Sequence, residues 1–265
     1  MRTDLTPSAK LEVAGLPRPL LAKLTACRFH AVWRIGPCWM RRVRVDGIIP
    51  AMWEELSEPW RGCVEEAWEA YRAGSLPIGA VVADADGNVL SRGRNRIHER
   101  SGPPGVVFGH KLAHAELNAL LSFDHRENDP RDCVLYTTTE PCPLCAGAVR
   151  ISDLGKLRFA AREPWGGSAV MFETVPYLKR KNVRVVGPQD GRLEVVLAAL
   201  QVERFLRLEP AVLQSFLQLY AEVMPEATAA GQRLYRSGVL RTMSDEQAPA
   251  SEVLQRVSKE IASAA

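Results

Sequence analysis

From Pro77 to Leu206 the chain alternates strand-like and helix-like segments, and this alternation constrains the fold more than any single residue does. "PIGAVVAD" and "VLSRGRNR" flank "ADGN", which reads as a β-hairpin turning at Asp86-Gly87. "CVLYTTT", "KLRFAA" and "VRVVG" supply three more strands. Helical segments around "KLAHAELNALL", "CPLCAGAVRIS", "VPYLKRK" and "LEVVLAALQVERFL" fall between and after them. Strands separated by helices bury both faces of their sheet. The expected fold is therefore α/β, a three-layer α/β/α sandwich with a central mixed five-stranded sheet.

Helices also flank this region. In "MWEELSEPWRGCVEEAWEAYRAG", Trp60, Val64, Ala67, Trp68 and Tyr71 recur at helical spacing and Gly74 suits a C-terminal stop. In "KLAHAELNALL", Leu112, Ala115, Leu117 and Leu120 predict a mostly buried helix. Beyond Pro210, "AVLQSFLQLYAEV" places Val212, Phe216, Leu219 and Val223 on one side of a helix, and "EVLQRVSKEI" suggests another. These C-terminal helices are expected to pack on the sandwich or on a second subunit.

The 265 residues suit one domain of ordinary size with extensions: a basic N-terminal extension over 1–51, the main domain over 52–207 and a helical C-terminal extension over 208–265. The first segment is either a flexible arm or the product of an upstream start codon, with Met52 as the true beginning. Nine Lys/Arg against three Asp/Glu in residues 1–50 account for more than the whole net charge of +3, so the remainder comes out at 3 − 6 = −3. A slightly acidic body argues against a broad nucleic-acid-binding face. Six cysteines are too few for a disulfide scaffold, no run is long enough to span a bilayer, and the cytoplasm is the expected compartment.

The stretch "TTEPCPLCAGAV" sets Cys142 and Cys145 three residues apart at the start of a helix. Both sulfurs can then face one point, and the positive end of the helix dipole favours thiolates. Such a pair suits a redox couple, a structural zinc knot or a catalytic metal site. His114 is the best upstream candidate for a third ligand, with Glu116 two residues beyond it. Three protein ligands leave one tetrahedral position open on zinc, and a carboxylate beside that position can move protons. Cys27, His30 and Cys38 have no fourth partner at suitable spacing and are set aside as ligands.

These residues resemble the zinc-dependent cytidine and nucleobase deaminase superfamily, whose signature is His-x-Glu followed by Pro-Cys-x-x-Cys. His114, Ala115, Glu116, Pro141, Cys142 and Cys145 match it. The resemblance runs over about residues 53–206 and is closest to the branch of tRNA adenosine deaminases and guanine deaminases, through "PIGAVV", "GRNR", "LAHAELNAL", "LYTTTEPCPLCAGA" and "FAAREP". It implies one Zn2+ per subunit on His114, Cys142 and Cys145, with Glu116 as the proton shuttle of a hydrolytic deamination. It further implies that Asn95 and the main chain at Ala115 orient the base, and that the protein is a homodimer.

Two departures bear on the substrate. The loop between Asn95 and His114 is longer than the tRNA-acting branch leads one to expect, and Glu163, Pro164 and Trp165 stand where that branch usually begins with Asp. A covered pocket, with Trp165 stacking on a ring, suits a free nucleobase or nucleoside better than tRNA, which remains the alternative. The alternative of another class is a non-catalytic structural zinc module, which needs a fourth ligand; Cys133 serves only if its strand delivers it there. A thiol-disulfide role for "CPLC" is disfavoured because the pair does not open a thioredoxin-like βαβ unit.

Overall fold

The computed structural model describes residues 52–189, 191–208 and 210–262; the expectations for residues 1–51, with Cys27, His30 and Cys38, lie outside them. A single turn, α1 (Met52–Glu55), leads to α2 (Glu58–Arg72). Its Trp60, Val64, Ala67, Trp68 and Tyr71 are buried as their spacing predicts, and Gly74 follows at φ +84°. β1 (Gly79–Ala83) and β2 (Val89–Arg94) form the expected antiparallel hairpin. Its turn is held by the Asp84 carboxylate, which accepts the amides of Asp86 and Asn88 at 3.0 and 2.8 Å.

The alternation then proceeds through α3 (Ala115–Leu121), β3 (Val134–Thr139), α4 (Pro143–Ile151) and β4 (Lys156–Ala161). Two single turns, α5 (Met171–Thr174) and α6 (Pro176–Lys179), replace the one helix expected around "VPYLKRK". Pro176 explains the break, because it has no N–H to continue the helix before it and suits the first turn of the next. β5 (Arg184–Val186) and α7 (Gly191–Arg207) complete the sandwich.

The sheet order is β2-β1-β3-β4-β5, with β1 antiparallel to both neighbours and β3, β4 and β5 parallel, so the sheet is mixed and five-stranded. Side chains alternate between its faces. Val81, Val134 and Tyr136 pack toward α2 and α7, whereas Ala80, Val82, Leu135 and Leu157 pack toward α3 and α4. All six positions of β3 are buried, which its run of apolar and threonine residues permits.

Gly93 brings the second layer close. A Cβ there would lie 2.2 Å from the Ala119 nitrogen and 2.4 Å from the Ala115 carbonyl, so the backbone of α3 rests directly on β2. The buried face of α3 consequently consists of small and polar residues, Ala115, Glu116, Asn118 and Ala119. This corrects the apolar stripe expected there, since Leu112 precedes the helix and is 47% exposed.

Four C-terminal helices follow, α8 (Pro210–Val223), α9 (Pro225–Ser237), α10 (Val239–Asp245) and α11 (Ala250–Ala262); α8, α9 and α11 pack on α7, and α10 packs on α9 and α2. On α8 Tyr220 is fully buried and Phe216 and Leu217 pack beside it against the core, while Val223 is exposed, a rotation from the face expected by hydropathy. Tyr220 can be buried because its hydroxyl has partners. Helix α9 went unrecognised in the sequence because its contact face is Ala227, Ala230, Gly231 and Leu234. A Cβ on Gly231 would meet the Ala199 carbonyl at 2.7 Å, so small residues rather than a hydrophobic stripe set this helix crossing. Trp68 Nε1 donates to the Ala248 carbonyl at 2.7 Å and ties the C-terminal layer to α2. Among the described residues no helix is long and apolar enough to cross a membrane.

Candidate metal centre

Two helix starts converge at the exit of β3. Cys142 is the N-cap of α4, Pro143 enters the helix, and Cys145 follows within the first turn. His114 is the N-cap of α3, whose approach to the sheet is set at Gly93. The Sγ atoms of Cys142 and Cys145 are 3.6 Å apart, and His114 Nδ1 lies 3.6 Å from the first and 3.4 Å from the second. Both thiols are free, so the pair is not a disulfide.

These lengths test the metal expectation directly. Zinc with tetrahedral angles, Zn–S near 2.3 Å and Zn–N near 2.0 Å requires edges of about 3.8 Å between sulfurs and about 3.5 Å from sulfur to nitrogen. The observed triangle has those edges to within about 0.2 Å. The donor set therefore fits a single zinc ion. Among the described residues no fourth His, Cys, Asp or Glu joins the three. Cys133, the candidate for closing the site, instead donates its thiol to the Asp129 carbonyl at 3.3 Å.

Charge is unevenly shared among these donors. Hydrogen bonds from Cys145 and then from His114 hold Cys142 down to about 4, against an ordinary thiol value of 9.0. Its Cys142 partner, followed by burial, drives Cys145 strongly upward, so by themselves the two thiols keep only one negative charge. The hydrogen bond to Cys142 raises His114. Glu116 is 4% exposed, and burial raises its carboxyl, opposed by the neighbouring His114. A buried carboxyl with a raised pKa can hold and pass a proton.

The remaining expected site residues occupy distinct surroundings. Asn95 is 2% exposed; its Oδ1 accepts the Ile97 amide at 3.2 Å, while its Nδ2 makes no hydrogen bond among the described residues. Ala115 is buried at the first position of α3, where a helix leaves its N–H groups unpaired. Trp165 is 62% exposed in the loop after β4, and its ring lies 6.2 Å from that of Phe216 on α8.

Two polar residues at the site were not singled out in the sequence. Asn118, one turn after His114, fastens the long loop to α3 through Val107. Its signal was a polar residue interrupting the apolar run of "AELNALL". Glu140 accepts the Ala169 amide at 3.0 Å and the Glu163 amide at 3.4 Å, which binds the loop after β4 to the segment entering Cys142. Nothing in its spacing announces that role.

Residues 54–161 match the family described as "Cytidine and deoxycytidylate deaminase zinc-binding region". The chain is 32% identical over 139 residues to a tRNA(Ile)-lysidine synthase of Deinococcus radiodurans, across 52% of this chain and 21% of that protein. It is 31% identical over 109 residues to a tRNA-specific adenosine deaminase of Aquifex aeolicus, across 40% of this chain and 66% of that one. Among solved structures, a guanine deaminase from Nitrosomonas europaea is 26% identical with a TM-score of 0.38, covering 54% of this chain and 81% of its own. The chain thus spans from about a fifth to about two thirds of the length of these two curated relatives.

Proposed function

We propose, on the premise that residues 54–161 belong to the cytidine and deoxycytidylate deaminase superfamily, that the chain is a zinc-dependent hydrolytic deaminase. It converts an amino-substituted nucleobase or nucleoside to the oxo form and releases ammonia. The observation that carries this reading is the His114, Cys142, Cys145 triangle of zinc dimensions, joined by no fourth ligand among the described residues, with the buried carboxyl of Glu116 beside it. Bound there, zinc supplies the Lewis acidity that makes water a nucleophile near neutral pH.

The other steps fall to the chain. Glu116 takes a proton from the attacking water and returns it to the amino nitrogen, so that one water is consumed and one ammonia leaves. The unpartnered Asn95 Nδ2 donates to an acceptor on the ring edge, the main chain of Ala115 aligns that edge, and Trp165 offers an exposed ring face for stacking. Burial of the Asn95 amide makes a wrong edge costly, because either partner is then left unpaired.

The organisation proposed is a deaminase domain over 52–207 and a helical extension over 208–265, in a cytoplasmic protein whose thiols stay reduced. A homodimer is proposed through α3 and α4, which expose Leu121 and Ile151 at 59% and 72%. A second reading, deamination of a tRNA adenosine, is favoured by likeness to the tRNA-specific deaminase of Aquifex aeolicus.

The test is ammonia release by the purified chain from guanine, adenine, cytosine, their nucleosides and a tRNA anticodon stem-loop. Turnover of one base or nucleoside, reduced by roughly 10²–10⁴ in Glu116→Ala with zinc retained, is expected. Turnover of the stem-loop alone replaces the first reading by the second. A zinc-loaded chain inert on the whole panel returns the site to a structural role.

A further inference from the structure

The loop of residues 162–169 is fastened to the segment that delivers Cys142. Ser168 N donates to the Pro141 carbonyl at 2.9 Å, and both oxygens of Glu140 accept amides from this loop and its end. From the opposite side α8 reaches the same loop. Tyr220, fully buried, places its hydroxyl 2.8 Å from Glu163 Oε2 and 3.0 Å from Gln201 Oε1. The Gln201 amide in turn donates to Thr139 Oγ1, at the last residue of β3 and three before Cys142. One turn earlier on α8, Phe216 stacks on Tyr220 at 4.6 Å and lies beside Trp165.

A buried tyrosine that served only packing would have its hydroxyl satisfied by any nearby carbonyl, and phenylalanine would fill the space without a polar group to satisfy. Here both partners are side chains, one from the loop and one from α7, and the second continues to the strand end that enters the candidate site. We propose that Tyr220 is a positioning residue: with Gln201 it clasps the 162–169 loop to the Thr139–Cys142 segment and so shapes substrate binding there. The C-terminal extension then contributes to the reaction through this loop. The part of the proposal that concerns substrate rests on the deaminase reading; the clasp itself does not.

The test compares Tyr220→Phe with the full-length chain by hydrogen exchange, resolved by peptide, together with zinc content and steady-state kinetics. Thr228→Ala serves as control, since it removes a hydroxyl bond to the Met224 carbonyl in the same helical layer without touching the loop. Tyr220→Phe is expected to speed exchange over 162–170 by roughly five- to tenfold, the ratio for one lost buried hydrogen bond, with zinc content unchanged. On the substrate identified, KM is expected to rise at least about threefold with kcat nearly held, the mark of a binding contribution. Loop exchange equal to that of the parent chain, or raised equally by Thr228→Ala, overturns the clasp. Faster exchange with unchanged KM and kcat overturns the role in substrate binding. A parent chain that releases no ammonia from any substrate sinks the deaminase reading instead, and the exchange comparison still decides the clasp.

Discussion

Asn118 Oδ1 accepts the Val107 amide at 2.8 Å while its Nδ2 donates to the Val107 carbonyl at 3.0 Å and the Arg94 carbonyl at 3.1 Å. One side chain thus joins the long loop and the end of β2 to the helix that begins at His114. Asn118→Ala leaves these half-buried main-chain groups without their side-chain partner. A stability loss of about 2–4 kcal/mol is expected, more than a single exposed bond would give. Urea denaturation measures it, and a loss under about 0.5 kcal/mol means that the loop is held by other contacts.

Gly93→Ala tests whether the approach of α3 to β2 sets the metal site. The added Cβ falls 2.2 Å from the Ala119 nitrogen, where backbone and not a pliable side chain must move. Destabilisation of about 2–3 kcal/mol is expected from overpacking. Because His114 opens the displaced helix, zinc affinity should fall at least about tenfold, which corresponds to about 1.4 kcal/mol. Thermal unfolding and competitive zinc titration read the two effects; unchanged affinity in a folded variant would separate helix position from the site.

Metal content offers a prediction that needs no substrate. The purified chain should carry close to one zinc, and Cys145→Ser should hold less than about a tenth of that, since loss of one thiolate dismantles a three-ligand site. Chelation should lower the unfolding midpoint, because zinc at about a hundred times its Kd stabilises the folded chain by about 2.7 kcal/mol. A Cys145→Ser protein that keeps full zinc would place the ion elsewhere.

Glu163 provides a pH dependence with a definite sign. Burial raises its carboxyl above the ordinary value of 4.5 in the folded chain, against the lowering effect of its hydrogen bonds. The folded state therefore holds this proton more tightly than the unfolded one. The resulting stabilisation is complete below about 4.5 and is lost as pH rises through the folded value. Tyr220 has one hydroxyl hydrogen for two acceptors, so a protonated Glu163 lets Glu163 donate to Tyr220, Tyr220 to Gln201 and Gln201 to Thr139. Glu163→Gln imitates that protonated arrangement. Its denaturation free energy, followed from pH 4.5 upward, should fall less steeply than that of the parent chain; identical slopes would show that Glu163 does not titrate in this range.

The layered α/β class, the opening hairpin and the local pairs Cys142/Cys145 and His114/Glu116 of the candidate site were legible in the sequence, because each is a matter of local period or short spacing. Cys142 and Cys145 share a helix turn whatever lies around them, and "HAE" sets Glu116 two residues from His114. The metal triangle itself is a tertiary fact, since its edges depend on α3 resting against Gly93 some twenty residues earlier. Helix α9 had no apolar stripe to announce it, for it meets α7 through alanines and Gly231. The side chains of Asn118, Glu140 and Tyr220 read as ordinary polar or aromatic positions along the chain. Hydrogen bonds reaching Val107, Ala169 and Glu163 give them their roles, and partners so distant in sequence are decided only when the layers pack.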